Sequence, residues 1–222
     1  WVQRTSLGRA IRSRGDVALE AAQEYLAQDR PVRILSLACG PAVELRQLLA
    51  GAARFEQPVE IVLLDQDESA LRSCVDELNA VLASRDDVAN VSIHALHFSL
   101  RQLLRPKAGA EREVVQGVLQ GMDLIYTMGL FDYLEQSTAR NTVRSLFRLL
   151  NPGRQLLVGN LCRAADSSWI MEYGLAWPLI YRTMDDMIDM GSKVKDRHGR
   201  VDVREDASGF CLFLDARKHV EV

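Results

Sequence analysis

Short apolar runs alternate with amphipathic segments along most of this 222-residue chain, and that order leaves few architectures open. Residues 32–37, 59–64, 91–96, 122–126 and 155–158 are too brief for helices and rich in Val, Ile and Leu, so they read as strands. Between them the apolar positions recur at helical spacing. Leu45, Leu48 and Leu49 precede Gly51, while Leu71, Cys74, Val75, Leu78 and Leu82 share one face. Residues 99–120 read as helix interrupted between Pro106 and Gly109, and 136–150 as helix stopped by Asn151-Pro152-Gly153. A helix over 6–29 opens the chain, with Leu7, Ala10, Ile11, Val17, Leu19, Ala22, Tyr25 and Leu26 inward, a break near Gly15 and an end at Pro31. Strands near 200–204 and 210–215 close it. Five strand–helix alternations followed by a strand pair predict an α/β fold, a doubly wound and mostly parallel seven-stranded sheet with helices on both faces. Residues 1–222 are expected to form a single domain, with 1–30 as an N-terminal helical segment and 161–192 as a helical cap insertion.

Twenty-seven basic against thirty acidic side chains leave a net charge of −3, without the basic excess of a dedicated nucleic-acid binder. Cys39, Cys74, Cys162 and Cys211 form no Cys-x-x-Cys pair, and the His/Cys spacing of a metal site is absent. Scattered single thiols indicate a reducing compartment, hence a cytoplasmic protein. No apolar run approaches the ~18 residues of a membrane helix, and no signal peptide is evident. The chain starts at Trp1 rather than Met, which leaves room for a natural start upstream.

In open α/β sheets ligands bind beyond the carboxyl ends of the strands, where strand order reverses. The first strand there runs into Ser36-Leu37-Ala38-Cys39-Gly40-Pro41-Ala42. The small residues at 38, 40 and 42 admit a ligand close to the backbone, although a tight turn needing Gly40 would look the same. The second strand ends in Leu64-Asp65-Gln66-Asp67, with Asp65 25 positions after Gly40. A carboxylate there suits both hydroxyls of an adenosine ribose, and its alternative use is as a helix N-cap. A dinucleotide loop would place glycine at Ala38 and near Glu44, and a carboxylate at Glu44 would repel a pyrophosphate. S-adenosylmethionine carries a sulfonium and an ammonium instead of phosphate, so the charges favour a methyl donor.

On these residues the chain resembles the class I S-adenosylmethionine-dependent methyltransferases, with their Rossmann-like fold, over 31–160 and toward the end. The likeness rests on residues 34–42, on Leu63-Leu64-Asp65, on 122–127 as the fourth strand, and on the turn and strand over 149–158. Within that class it is most similar to the bacterial branch that makes 3-hydroxypalmitic acid methyl ester. That likeness is carried by 35–44, by Gly129-Leu130-Phe131-Asp132-Tyr133-Leu134 and by Trp177-Pro178-Leu179-Ile180-Tyr181-Arg182. Ser36 stands where most of the superfamily has an acid and Ala38 where it has glycine, so Glu44 is the candidate for the methionine amine. The resemblance implies S-adenosyl-L-methionine as cofactor and S-adenosyl-L-homocysteine as product. It places Ala38, Cys39, Gly40, Pro41 and Glu44 on the methionine and ribose side, Asp65 and Gln66 at the ribose, His97 and Phe98 at adenine, and Thr127, Met128, Gly129 and Leu130 near the sulfonium. Arg12 and Arg14 either close over the ligands or form a solvated face.

Methyl transfer from a sulfonium needs alignment and exclusion of water, and an ionised carboxylate acceptor needs no base. Trp169, Trp177, Tyr173, Tyr181, Met171, Met184, Met187 and Met190 would give the cap an adaptable apolar pocket or merely pack it on the sheet. Arg182 is read as a carboxylate anchor or as a salt-bridge partner of Asp185 or Asp186, and Tyr133 as orienting the acceptor oxygen. The expected activity is therefore O-methylation of a small organic or acyl acid, with Tyr133, Tyr181 and Arg182 as candidate catalytic residues and no metal. Methylation of an amine, phenol or carbon centre, and a non-catalytic S-adenosylmethionine-binding module, are the alternatives. Lys193, Lys195, Arg197, Arg200 and Arg204 are the sole support for an RNA or protein substrate, interrupted by Asp196 and Asp202. The expected partner is an apolar or acyl small molecule without nucleic acid or membrane span, and a homodimer is compatible with the sequence.

Overall fold

In a computed structural model, which describes residues 6–51, 55–86, 88–163, 178–195 and 198–220, the chain follows the expected alternation. Its elements are α1 (Ser6–Leu26), β1 (Val32–Leu37), α2 (Val43–Gly51), β2 (Val59–Asp65), α3 (Glu68–Ala83), β3 (Val91–His97), α4 (Leu100–Leu104), α5 (Ala110–Glu113), β4 (Met122–Thr127), α6 (Gln136–Leu149), β5 (Leu150–Leu161), α7 (Met184–Gly191), β6 (Gly199–Glu205) and β7 (Cys211–Lys218). The seven strands form one sheet in the order β3-β2-β1-β4-β5-β7-β6. β1 to β5 run parallel to one another, and β7 is antiparallel to both β5 and β6. The chain leaves β1 for β2 and β3, then crosses back to lay β4 on the other side of β1, which sets the ligand crevice at the carboxyl ends of β1, β2 and β4.

Alternate strand residues feed two cores, as the two-residue period of a strand requires. Ile34, Ile61, Leu63, Leu124 and Tyr126 pack with α1, α2 and α3 on one face, while Leu35, Val62, Leu64, Ile125 and Leu156 pack with α4, α6 and α7 on the other. Among the described residues no helix is long and apolar enough to cross a membrane.

Four local readings change. α1 passes through Gly15 without a break, and it buries Ala10, Arg14, Ala18, Ala22 and Tyr25 while Ile11 is half exposed. Its small side chains let the helix lie close to the sheet, which turns the larger Ile11 outward. β5 extends over the expected Asn151-Pro152-Gly153 stop: Met122 pairs with Leu150 but Leu124 with Gln155, so five steps on β5 face two on β4. The turn residues occupy that bulge, with Gly153 at φ 75°. The helical stretch over 99–120 is interrupted between α4 and α5 as expected, but its last turn, Val114–Val118, is π-helical. Trp169, Met171, Tyr173 and Trp177 of the expected cap lie outside the described residues. Its described helix, α7, packs on α6, β6 and β7, with Met187 and Met190 fully buried in the core rather than lining a ligand pocket.

Candidate functional site

Beyond β1 the chain bends through three left-handed residues, Ala38 (φ 52°), Gly40 (φ 50°) and Ala42 (φ 41°). An L-residue in that region costs about 1–2 kcal/mol, so the bend carries strain at both alanines. It is pinned by Ala38 N–H donating to Leu64 O at 2.7 Å and Ala42 N–H to Cys39 O at 3.0 Å. Strain of this kind collects where a ligand must approach the backbone. No atom lies within 4 Å of where a Cβ on Gly40 would stand, so the outer side of the bend is open.

Asp65, at the end of β2, faces this bend. Its Oδ2 accepts from Gly40 N–H and its Oδ1 from Asp67 N–H, both at 3.0 Å. The N-cap of α3 is Asp67, whose Oδ1 accepts from Ser69 and Ala70 N–H at 2.9 and 3.1 Å. The capping alternative for Asp65 therefore falls away. Two backbone donors fix the plane of its carboxylate and leave one lone pair on each oxygen, the arrangement that accepts a vicinal diol.

Ala38, Asp65, Gln66, Phe98, Gly129 and Tyr133 converge on one cleft of about 160 Å³. Leu37, Leu64, Leu100 and Leu130 complete its apolar wall. Of these, Leu100 carried no sequence signal, being a leucine at a helix start. Phe98 is 6% exposed, and its N–H bonds Asp65 O at 2.9 Å, which ties the exits of β2 and β3 together. A roomier cleft lies at the opposite edge, among residues 26–32 and 55–59 at the amino ends of β1 and β2. Position at the strand carboxyl ends, rather than volume, selects the first.

Under the bend lies a second carboxylate. Glu44 Oε1 accepts from the hydroxyl of buried Tyr126 at 2.8 Å, and the Ser36 side chain bonds the same tyrosine. Burial pushes the Glu44 carboxyl up, opposed by its backbone and Tyr126 hydrogen bonds. The first turn of α2 thus brings a carboxylate to the tyrosine that Ser36 also bonds.

The remaining candidates lie outside the cleft lining. Pro41 is exposed and Cys39 buried, the Cys39 thiol meeting that of Cys74. His97 is exposed and bonds Gln66 O through Nε2 at 3.0 Å, clasping the loop rather than facing the cleft. Thr127 is buried, its Oγ1 without a partner among the described residues, and the Met128 sulfur packs toward Gly159. The buried hydroxyl of Tyr181 has no partner among the described residues, and the Arg163 guanidinium lies 5.5 Å over its ring.

Arg182 is corrected most sharply. It is 2% exposed and donates to Phe131 O at 2.6 Å, Asn160 Oδ1 at 2.5 Å, Gln136 Oε1 at 2.9 Å and Leu134 O. Neutral acceptors take four of its five N–H groups in a buried setting, so it is built as a structural clamp rather than a carboxylate anchor, and it makes no ion pair with Asp185 or Asp186 among the described residues. It instead clamps residues 131–136 against the end of β5. Arg14 likewise is no solvated residue: its NH2 donates to both oxygens of buried Asp132 at 2.7 and 3.0 Å. Arg12 is exposed.

No family model matches the chain, and no curated protein matches its sequence. Solved structures do share its fold. A possible exported protein from Bordetella parapertussis superposes with a TM-score of 0.66 at 18% identity, over 96% of this chain and 68% of that one. Magnesium protoporphyrin IX methyltransferase (ChlM) from Synechocystis PCC 6803, with bound SAH, gives 0.61 at 13% identity, over 96% and 84%. N-methyltransferase NodS from Bradyrhizobium japonicum WM9, in complex with S-adenosyl-L-homocysteine, gives 0.57 at 12%, over 94% and 87%. The chain has the seven-stranded Rossmann-like fold seen in these methyltransferases.

Proposed function

We propose that this chain is a single-domain methyltransferase that uses S-adenosylmethionine to methylate the carboxylate of a small apolar acid. The observation that carries the reading is Asp65, oriented by Gly40 and Asp67 N–H across a cleft that also holds Phe98 and the bend at Ala38. When bound, the cofactor supplies a methyl group activated on a sulfonium. Asp65 would accept the ribose hydroxyls, and Phe98 would cover one side of the adenine. Glu44 would face the ammonium of the methionine end, opposite in charge to its own carboxylate. Gly129 and Leu130 would border the sulfonium, keeping water away from it, and Tyr133 would donate its hydroxyl to the acceptor oxygen. An ionised acid requires no base from the chain. The apolar wall at Leu130 supports an acyl acceptor, as in the 3-hydroxypalmitic acid methyl ester branch. Four free cysteines support a cytoplasmic setting.

Two measurements test this. With methyl-labelled S-adenosylmethionine and a series of straight-chain acids, the product should release labelled methanol on mild alkaline hydrolysis, as esters do and ethers or methylamines do not. Alkali-stable label would move the acceptor to a phenol, amine or carbon. The second measurement concerns Glu44. Because burial raises the Glu44 carboxyl against its hydrogen bonds, the ligand-free protein holds a proton there to higher pH than a free glutamate does, and a docking ammonium favours its release. Calorimetry in buffers of different ionisation enthalpy should show proton release on S-adenosylmethionine binding, and Glu44→Gln should abolish that release while weakening binding about tenfold at pH 7. Release that persists in Glu44→Gln removes Glu44 from the site.

A further inference from the structure

A groove of about 530 Å³ runs between α4 and α6 on the outer side of the sheet. Leu100 and Leu104 form its apolar floor, with Arg101 and Arg105 on one wall and Arg144 and Arg148 on the other. All four arginines are exposed, no carboxylate lines the groove, and none of the four belongs to an ion pair among the described residues. Such a gathering is local, since the whole chain is acidic by three charges. An adjoining cleft continues it with Lys193, His198 and Lys218 and shares Arg144 and Arg148.

The geometry points to a docking site for an acidic amphipathic helix of a partner protein. On α6 the groove is followed by Thr138, Asn141, Ser145 and Arg148, a ridge at three- and four-residue steps that spans about 15 Å at the rise of an α-helix. The α4 wall, from Leu100 to Arg105, is shorter, about 7.5 Å, and a groove between two helix faces accepts a third helix, ridge against groove. Arg101 and Arg105, like Arg144 and Arg148, stand one turn apart, so each wall matches carboxylates at i and i+4 on a partner helix. The leucine floor takes an apolar stripe between those rows. A nucleic acid is the poorer occupant: no aromatic side chain lines the groove for base stacking. Leu100 also belongs to the wall of the Asp65 cleft, so an occupant would sit beside the mouth of the candidate active site. The inference itself stands on the groove alone and does not depend on the proposed reaction.

The test is a display library of helical 14-residue peptides, panned against the intact chain and counter-selected on the quadruple variant Arg101→Glu, Arg105→Glu, Arg144→Glu, Arg148→Glu. Equal melting temperatures of the two proteins establish that the variant is folded; should it melt early, the pairs Arg101→Gln/Arg105→Gln and Arg144→Gln/Arg148→Gln replace it. Enriched peptides are expected to carry Asp or Glu at i and i+4 flanking an apolar stripe, and labelled copies to bind at least about tenfold more weakly to the variant. Enrichment of neutral or basic peptides, no enrichment, or binding that survives the substitutions overturns the proposal. So does a 20-nucleotide RNA that binds the intact chain more tightly than the best peptide.

Discussion

An Asp65→Ala chain should fold and yet bind S-adenosylmethionine at least about 100-fold more weakly than the parent. A hydrogen bond to a charged acceptor contributes about 1.5–3 kcal/mol, and the carboxylate has one free lone pair per oxygen after Gly40 and Asp67 N–H are satisfied. Two ribose hydroxyls together would therefore lose about 3–6 kcal/mol, where each 1.4 kcal/mol is tenfold. The structural cost is smaller, because Asp65 is partly exposed and water can reach the two backbone donors. About 1 kcal/mol per lost bond, at about 2–4 °C per kcal/mol for a chain of this size, predicts a fall of only several degrees in melting temperature. Calorimetric titration with S-adenosylmethionine and with S-adenosylhomocysteine, beside a thermal scan, separates the two effects. Affinity within about threefold of the parent in a folded variant would end the assignment of the cleft to an adenosine ligand. Asp65→Asn refines the result, since an amide holds one backbone donor but cannot accept from both hydroxyls.

That cleft was legible in the sequence where its parts are local. β1 and β2 are buried on both faces, so they stand out as apolar runs, and their exits carry the small-residue bend and Asp65. Phe98 comes only from the family resemblance, since β3 is largely exposed and gives its exit no such signal. The reading was weaker wherever function depends on chains meeting far apart. Nothing local distinguishes Arg14 from Arg12, and only the docking of α1 buries the former against Asp132, 118 residues away. Arg182 reads as an anion anchor because an arginine among apolar neighbours calls for an acceptor, and the acceptors it finds are carbonyls and amides that leave no trace in composition. Met187 and Met190 show the converse. Methionines suit both a pliable pocket and a core, and the packing of α7 on α6 decides for the core. Ser36 and Glu44 are brought together only in three dimensions, where the Tyr126 hydroxyl bonds both.

Asp132→Ala should be the most destabilising single substitution near the site, by about 3–5 kcal/mol, because it strands a buried guanidinium without its partner. Arg14 and Asp132 side chains are 9% and 3% exposed. Asp132 Oδ1 also accepts Leu161 N–H at 2.8 Å, while Arg14 Nε reaches Cys211 Sγ at 3.3 Å. One ion pair therefore fastens α1, the exit of β4, and the β5–β7 ladder, and the melting temperature should drop by about 6–20 °C. Replacing both partners by apolar residues, Arg14→Met with Asp132→Leu, should recover much of the loss, since two desolvated charges leave together. Arg14→Met alone adds a pH signature. Burial already pushes the Asp132 carboxyl up against the pull of Arg14, and without that pull the native state binds a proton that the unfolded chain has released. Stability of this variant should then fall as pH rises from the ordinary carboxylate range through the folded-state value, and level off above it. Urea unfolding of Arg14→Met across that range checks the sign. Stability that rises or stays flat with pH would mean that Asp132 is held ionised by groups other than Arg14.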